Sequence, residues 1–114
     1  MSYKALKDQK MAIIYFEKAI KEALSANASS YYSEIGDSYD KMHQLKKSVN
    51  AFEKSLLYGV TPITYYALAN MYDTELKSRS QALQNYRKYL KSNPPQEQHS
   101  YIAYTKRRIA ELAH

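Results

Sequence analysis

The sequence predicts an all-α fold: antiparallel helix pairs stacked in series, about two and a half repeats, closed by a C-terminal capping helix. Three observations carry this. Residues 12–20, 48–56 and 82–90 align without gaps, with Ala12, Ser48 and Ala82 small, Phe16, Phe52 and Tyr86 aromatic four positions on, and Ile20, Leu56 and Leu90 aliphatic four beyond. The copies lie 36 and 34 residues apart, the period of a helix–turn–helix unit that stacks on its neighbours. Only two glycines and three prolines punctuate 114 residues, which leaves room for long helices and short turns.

Each element follows from local pattern. A first helix is expected over 11–26, with 1–7 as the stump of a helix before it, so that 1–27 forms a partial repeat and the chain reads as the C-terminal part of a longer array. Residues 31–41 and 64–74 repeat an aromatic–aliphatic–small–aromatic order at i, i+3, i+4 and i+7: Tyr32, Ile35, Gly36 and Tyr39, then Tyr65, Leu68, Ala69 and Tyr72. Such spacing places a stripe on one helix face. Gly36 weakens an isolated helix by about 1 kcal/mol relative to alanine, so its presence predicts a partner helix pressed against the backbone there. Turns fall within 42–47 and 75–80, separating these helices from the ones that contain 48–56 and 82–90. Gly59–Thr61 and Asn93–Pro95 break the pattern, while Pro62 suits the first turn of a helix, where its missing N–H has no partner to lose. The repeats therefore divide as 28–60 and 61–95, with 96–114 as the capping helix. In that helix Tyr101, Ile102, Ala103, Ile109 and Leu112 are expected inward, and Lys106, Arg107, Arg108 and Glu111 mostly outward.

Composition narrows the chemistry. There is no cysteine, hence no thiolate nucleophile, disulfide or thiolate metal site. His43, His99 and His114 lack a His or acidic partner at i+3 or i+4, and no glycine-rich phosphate loop or nucleophile elbow is present. No catalytic residue, metal or cofactor is expected, and Asp37, Asp40 and Asp73 read as surface acids on the solvated side of their helices. The net charge of +6 comes from basic residues scattered over helical positions, and only Lys106, Arg107 and Arg108 cluster, beside Tyr101 and Tyr104. That argues against nucleic acid as the partner. No apolar run reaches the roughly 20 residues that span a bilayer, and no signal-peptide core follows the N-terminus. The compartment stays open, with the cytoplasm as default.

Tyr32, Ile35, Gly36, Tyr39, Ser48, Phe52 and Ser55 in one unit, and Tyr65, Leu68, Ala69, Tyr72, Ala82, Tyr86 and Pro94 in the next, resemble the tetratricopeptide repeat pattern. The resemblance covers about residues 3–94, with serine for alanine at Ser48 and Ser55 and a bulky Tyr89 where a small residue is usual. It implies a right-handed α-solenoid whose first helices line a concave groove that grips a peptide or partner helix. Mapped onto this chain, the groove positions are Ser33, Asp37 and Asp40, then Tyr66, Asn70 and Asp73. An amide such as Asn70 can serve both the N–H and C=O of a bound backbone. The carboxylate clamp found in part of the family does not carry over, because Asp37 and Tyr66 stand at clamp positions and no lysine accompanies Asn70; a neutral or basic peptide suits this groove better.

The expected function is a non-catalytic protein–protein interaction module. Of thirteen tyrosines, Tyr32, Tyr39, Tyr65, Tyr72 and Tyr86 occupy repeat core positions. Tyr15, Tyr31, Tyr66 and Tyr104 do not, and Tyr66 is a candidate contact. The alternative is an oligomerisation segment that associates, with another copy or another repeat, through Ile13, Phe16 and Ile20 on the incomplete first unit.

Overall fold

The computed structural model describes residues 2–22 and 27–114, and every regular element among them is helical. Six α-helices follow in order: α1 (Tyr3–Glu22), α2 (Ala28–Lys41), α3 (Leu45–Tyr58), α4 (Pro62–Asn70), α5 (Arg79–Lys91) and α6 (His99–Leu112). A π-helical turn, Met71–Glu75, continues α4, and a short 3₁₀ turn, Gln96–Gln98, leads into α6. The chain divides into two compact units, Met1–Val60 and Thr61–His114.

Unit 1 contains α1, α2 and α3. The segment 1–7 is no separate stump: from Tyr3 onward it is the first turn of the single continuous helix α1. The 3–12 stretch lacks glycine and proline, so nothing ends a helix there. The expected extension of this helix to residue 26 lies outside the described residues.

Helices α2 and α3 run antiparallel, since Ser29 near the start of α2 meets Ser55 near the end of α3, while Gly36 meets Ser48 and Phe52 midway. A Cβ on Gly36 would stand 2.9 Å from the Phe52 ring, so the bare Cα is what admits the ring. The two serines that replace alanine are explained here. The Ser48 hydroxyl donates to the Gly36 carbonyl at 2.7 Å, and the Ser55 hydroxyl donates to the Ser29 carbonyl at 2.7 Å. Each ties one helix to the other while staying small enough for close approach. Ile13, Ile35 and Ala51 are buried together, with Phe16, Ile20, Tyr32, Tyr39 and Met42 packed on them.

Unit 2 repeats the pair with α4 and α5 and adds α6. Pro62 stands in the first turn of α4, as its sequence position predicts. Ala69, Ala82 and Tyr86 are fully buried, and Tyr66, Tyr72, Tyr104, Ile109 and Leu112 pack against them. With so few glycines, the chain leaves its helices through non-glycine residues at positive φ: His43 (59°), Lys77 (53°) and Asn93 (55°).

Candidate interaction surfaces

Unit 1 offers two exposed arcs. On α2, Ser33, Glu34, Asp37 and Asp40 fall within one arc of the helix; Glu34 and Asp37 are exposed, Ser33 and Asp40 half-buried. On α1 the exposed side carries Tyr3 (86% exposed), Met11 (56%), Ile14 (52%) and Tyr15 (66%). Exposed Lys4, Lys7, Lys18 and Lys21 lie among them.

That arc corrects the expected association edge. Ile13 is buried, and Phe16 and Ile20 pack onto the Ile13–Ile35–Ala51 core. Phe16 also meets the Tyr31 ring at 5.8 Å. The apolar periodicity of α1 is real, but α2 covers it; the exposed apolar residues sit on the opposite side, at positions that do not belong to the repeat signature.

In unit 2 the groove residues are engaged within the fold. Tyr66 stacks on Tyr101 with ring centroids 4.7 Å apart and lies 5.2 Å from Tyr89 and 6.3 Å from Tyr104. The Asn70 amide donates to the Tyr66 carbonyl at 3.1 Å, and its oxygen accepts from the Tyr86 hydroxyl at 3.3 Å. The amide N–H thus has a partner within its own helix, and its oxygen shares the single Tyr86 proton with the nearer Asp73.

Asp73 is no surface acid. Its side chain is 7% exposed and takes a two-pronged ion pair from Arg108, Nη2 to Oδ1 at 2.7 Å and Nε to Oδ2 at 2.9 Å. The Tyr86 hydroxyl donates to the same carboxylate at 2.9 Å. The Arg108 guanidinium, then the Tyr86 hydroxyl, hold Asp73 below the usual carboxylate range, against burial that pushes it up. Tyr86 moves the opposite way, raised by burial and by the neighbouring Asp73 charge. Tyr89 is likewise raised, chiefly by burial.

The inward face of α6 therefore differs from the apolar pattern. Arg108, expected outward, turns in to Asp73 and also meets Glu111 at 2.8 Å; Ala103, expected inward, is exposed. Thr105 is fully buried at the centre, and its hydroxyl is without a partner among the described residues. Arg79 donates to the carbonyls of Leu112 and His114, closing the C-terminal end of α6. Tyr89, the bulky departure, is fully buried and donates to Gln98 at 2.6 Å, which fixes the entry to α6. Tyr104 belongs to the core, and Arg107 stacks over its ring at 5.4 Å. Of the basic-aromatic cluster, Arg108 and Tyr104 are engaged within unit 2, whereas Tyr101, expected inward, stacks on Tyr66 yet stays 44% exposed, and Lys106 and Arg107 are exposed. Nothing short of the three-dimensional pairing with Asp73 signals this role for Arg108.

Among the described residues no group of three or more His, Asp or Glu side chains could hold a metal ion, and no helix is long and apolar enough to cross a membrane.

Helix pairs that repeat one small–aromatic–aliphatic signature, with a terminal helix pinned onto the last pair, define a helical-repeat scaffold. The tetratricopeptide repeat family model matches residues 1–25 and 29–58, and the chain belongs to that family. Such repeats generally mediate protein–protein interaction, and the family is typically non-catalytic. No curated protein and no solved structure gives a significant match to the chain.

Proposed function

We propose that this chain is a peptide-binding interaction module whose partner surface is the outer arc of α2, with Ser33, Asp37 and Asp40 as its contacts. The observation that carries this reading is the contrast between groove positions. Asp37 is exposed, whereas the matching Asn70 is hydrogen-bonded inside unit 2. With Glu34 beside it, the arc is acidic and favours a basic or neutral peptide. Tyr66, Asn70 and Asp73 act in this reading as the support that holds α6. Selection of displayed peptides against the chain tests it: enriched sequences should be basic, and Asp37→Lys should weaken them by roughly tenfold. Binding indifferent to that charge reversal would sink it.

A second reading, self-association, is favoured by the exposed Tyr3, Met11, Ile14 and Tyr15 on α1. Sedimentation across a hundredfold concentration range should reveal a dimer that Ile14→Asp dissociates. Phe16→Asp is the wrong probe, because it strikes the core of unit 1.

A further inference from the structure

We infer that unit 1 carries a second recognition site, opposite in charge to the α2 arc: a cleft between α1 and α3 that receives an acidic amphipathic helix from a partner protein. The cleft has a volume of about 250 Å³ and lies over the Tyr32–Ile35–Tyr39 stripe of α2. Lys47, Asn50 and Lys54 of α3 form one rim, and Glu17 of α1 stands on the other.

Three features point to this occupant. First, the rim is positive. The Lys47 ammonium sits 5.7 Å from the Tyr39 ring centroid and the Lys54 ammonium 5.9 Å from that of Tyr32, and neither has an ion-pair partner among the described residues. Two ammonium groups face a single carboxylate, so the site attracts anions, and the chain's net charge of +6 reinforces the attraction.

Second, the spacing suits a helix. Lys47 and Lys54 are seven residues apart on one helix, about 10.5 Å along its axis. Carboxylates at i and i+7 of a helix lying alongside α3 have the same separation and the same facing. Asn50, between the two lysines, adds an amide that can donate to either carboxylate.

Third, the floor is apolar and small. Buried Ile35 and Ala51 and half-buried Tyr32 and Tyr39 make a seat for one leucine-sized side chain. The volume falls below the roughly 300–1,000 Å³ typical of small-molecule sites, which favours a side chain presented by a peptide over a cofactor. A leucine at i+3 or i+4 between the two acids would enter there.

The probe is a fluorescein-labelled helical peptide with Glu at i and i+7 and Leu at i+3 and i+4 on an Ala/Gln background, followed by anisotropy with the full chain. Saturable binding is expected, weakening with salt and lost when both Glu are Gln. The double variant Lys47→Glu, Lys54→Glu should weaken it by at least about tenfold. Glu17→Gln should tighten it about threefold, because it removes the carboxylate among the described residues that line the cleft. All three side chains are exposed, so circular dichroism of the variants should match the parent. Asp37→Lys should leave this peptide unaffected, which separates this site from the α2 arc. Failure of the probe to saturate, or binding unchanged in the double lysine variant, would overturn the proposal whatever the fate of the basic-peptide reading.

Discussion

The two units solve one packing problem with different chemistry. In unit 1, Gly36 lets the Phe52 ring reach the α2 backbone, and the Ser48 hydroxyl closes on the Gly36 carbonyl. In unit 2, Ala69 and Ala82 take the small positions, and the ring is Tyr86. That single extra hydroxyl must be satisfied once buried. It is satisfied by Asp73 and Asn70, and the buried Asp73 in turn takes Arg108 from α6. A phenylalanine-to-tyrosine difference between repeats thus sits at the root of a polar chain that fastens the terminal helix. The corresponding face of unit 1 keeps Asp37 in solvent. The same repeat positions leave a carboxylate in solvent in one unit and serve internal closure in the other.

The comparison can be broken most severely at its ion pair. Asp73→Ala leaves Arg108 and the Tyr86 hydroxyl without their acceptor and should cost about 3 kcal/mol, the low end for breaking a buried pair because Arg108 retains some solvent. Hydrogen exchange should show α6 losing protection while α2 and α3 keep theirs. Equal loss in both units would mean that the network does not act within unit 2. The pH dependence has a defined sign. Asp73 titrates below its ordinary value of 3.8 when folded, so its contribution is complete above that value and fades as pH falls through the lower, folded one. Protection of α6 should accordingly decline below about pH 4, and Asp73→Asn should remove that acid-dependent component.

A smaller effect is expected at the glycine of unit 1. Gly36→Ala forces a Cβ to 2.9 Å from the Phe52 ring. Overpacking of roughly 1–3 kcal/mol, offset by about 1 kcal/mol of better helix propensity, leaves a net loss of about 1 kcal/mol in urea denaturation. Stabilisation instead would show that the ring shifts freely. Tyr86→Phe, which makes unit 2 resemble unit 1, should cost about 1 kcal/mol through the lost hydrogen bond and loosen α6 more than α4.

The smallest change runs the other way. Thr105 buries a hydroxyl without a partner among the described residues, so Thr105→Val should be neutral or stabilise by up to about 1 kcal/mol. A clear loss of stability would reveal a hidden acceptor for that hydroxyl.

The sequence by itself determined the helices after the first, their order, the pairing of small and aromatic positions, and the breaks at Gly59–Thr61 and Asn93–Pro95, but not the start of α1 at Tyr3. Those features are local or periodic: 3.6-residue spacing, a ring facing a missing side chain, and proline where a helix cannot continue. Ser33, Asp37 and Asp40 came from the family resemblance, and the exposed Glu34 beside them was not singled out in the sequence. Only the tertiary structure decided which side of α1 is covered, because both sides carry apolar residues and helical periodicity alone does not say which one a neighbour takes. Only it joined Asp73 to Arg108, thirty-five residues later, and turned a basic residue inward. Hydrophobic patterning assigns charges to solvent by default, and a buried pair escapes that rule because each partner neutralises the other, a condition that exists only after the helices have met.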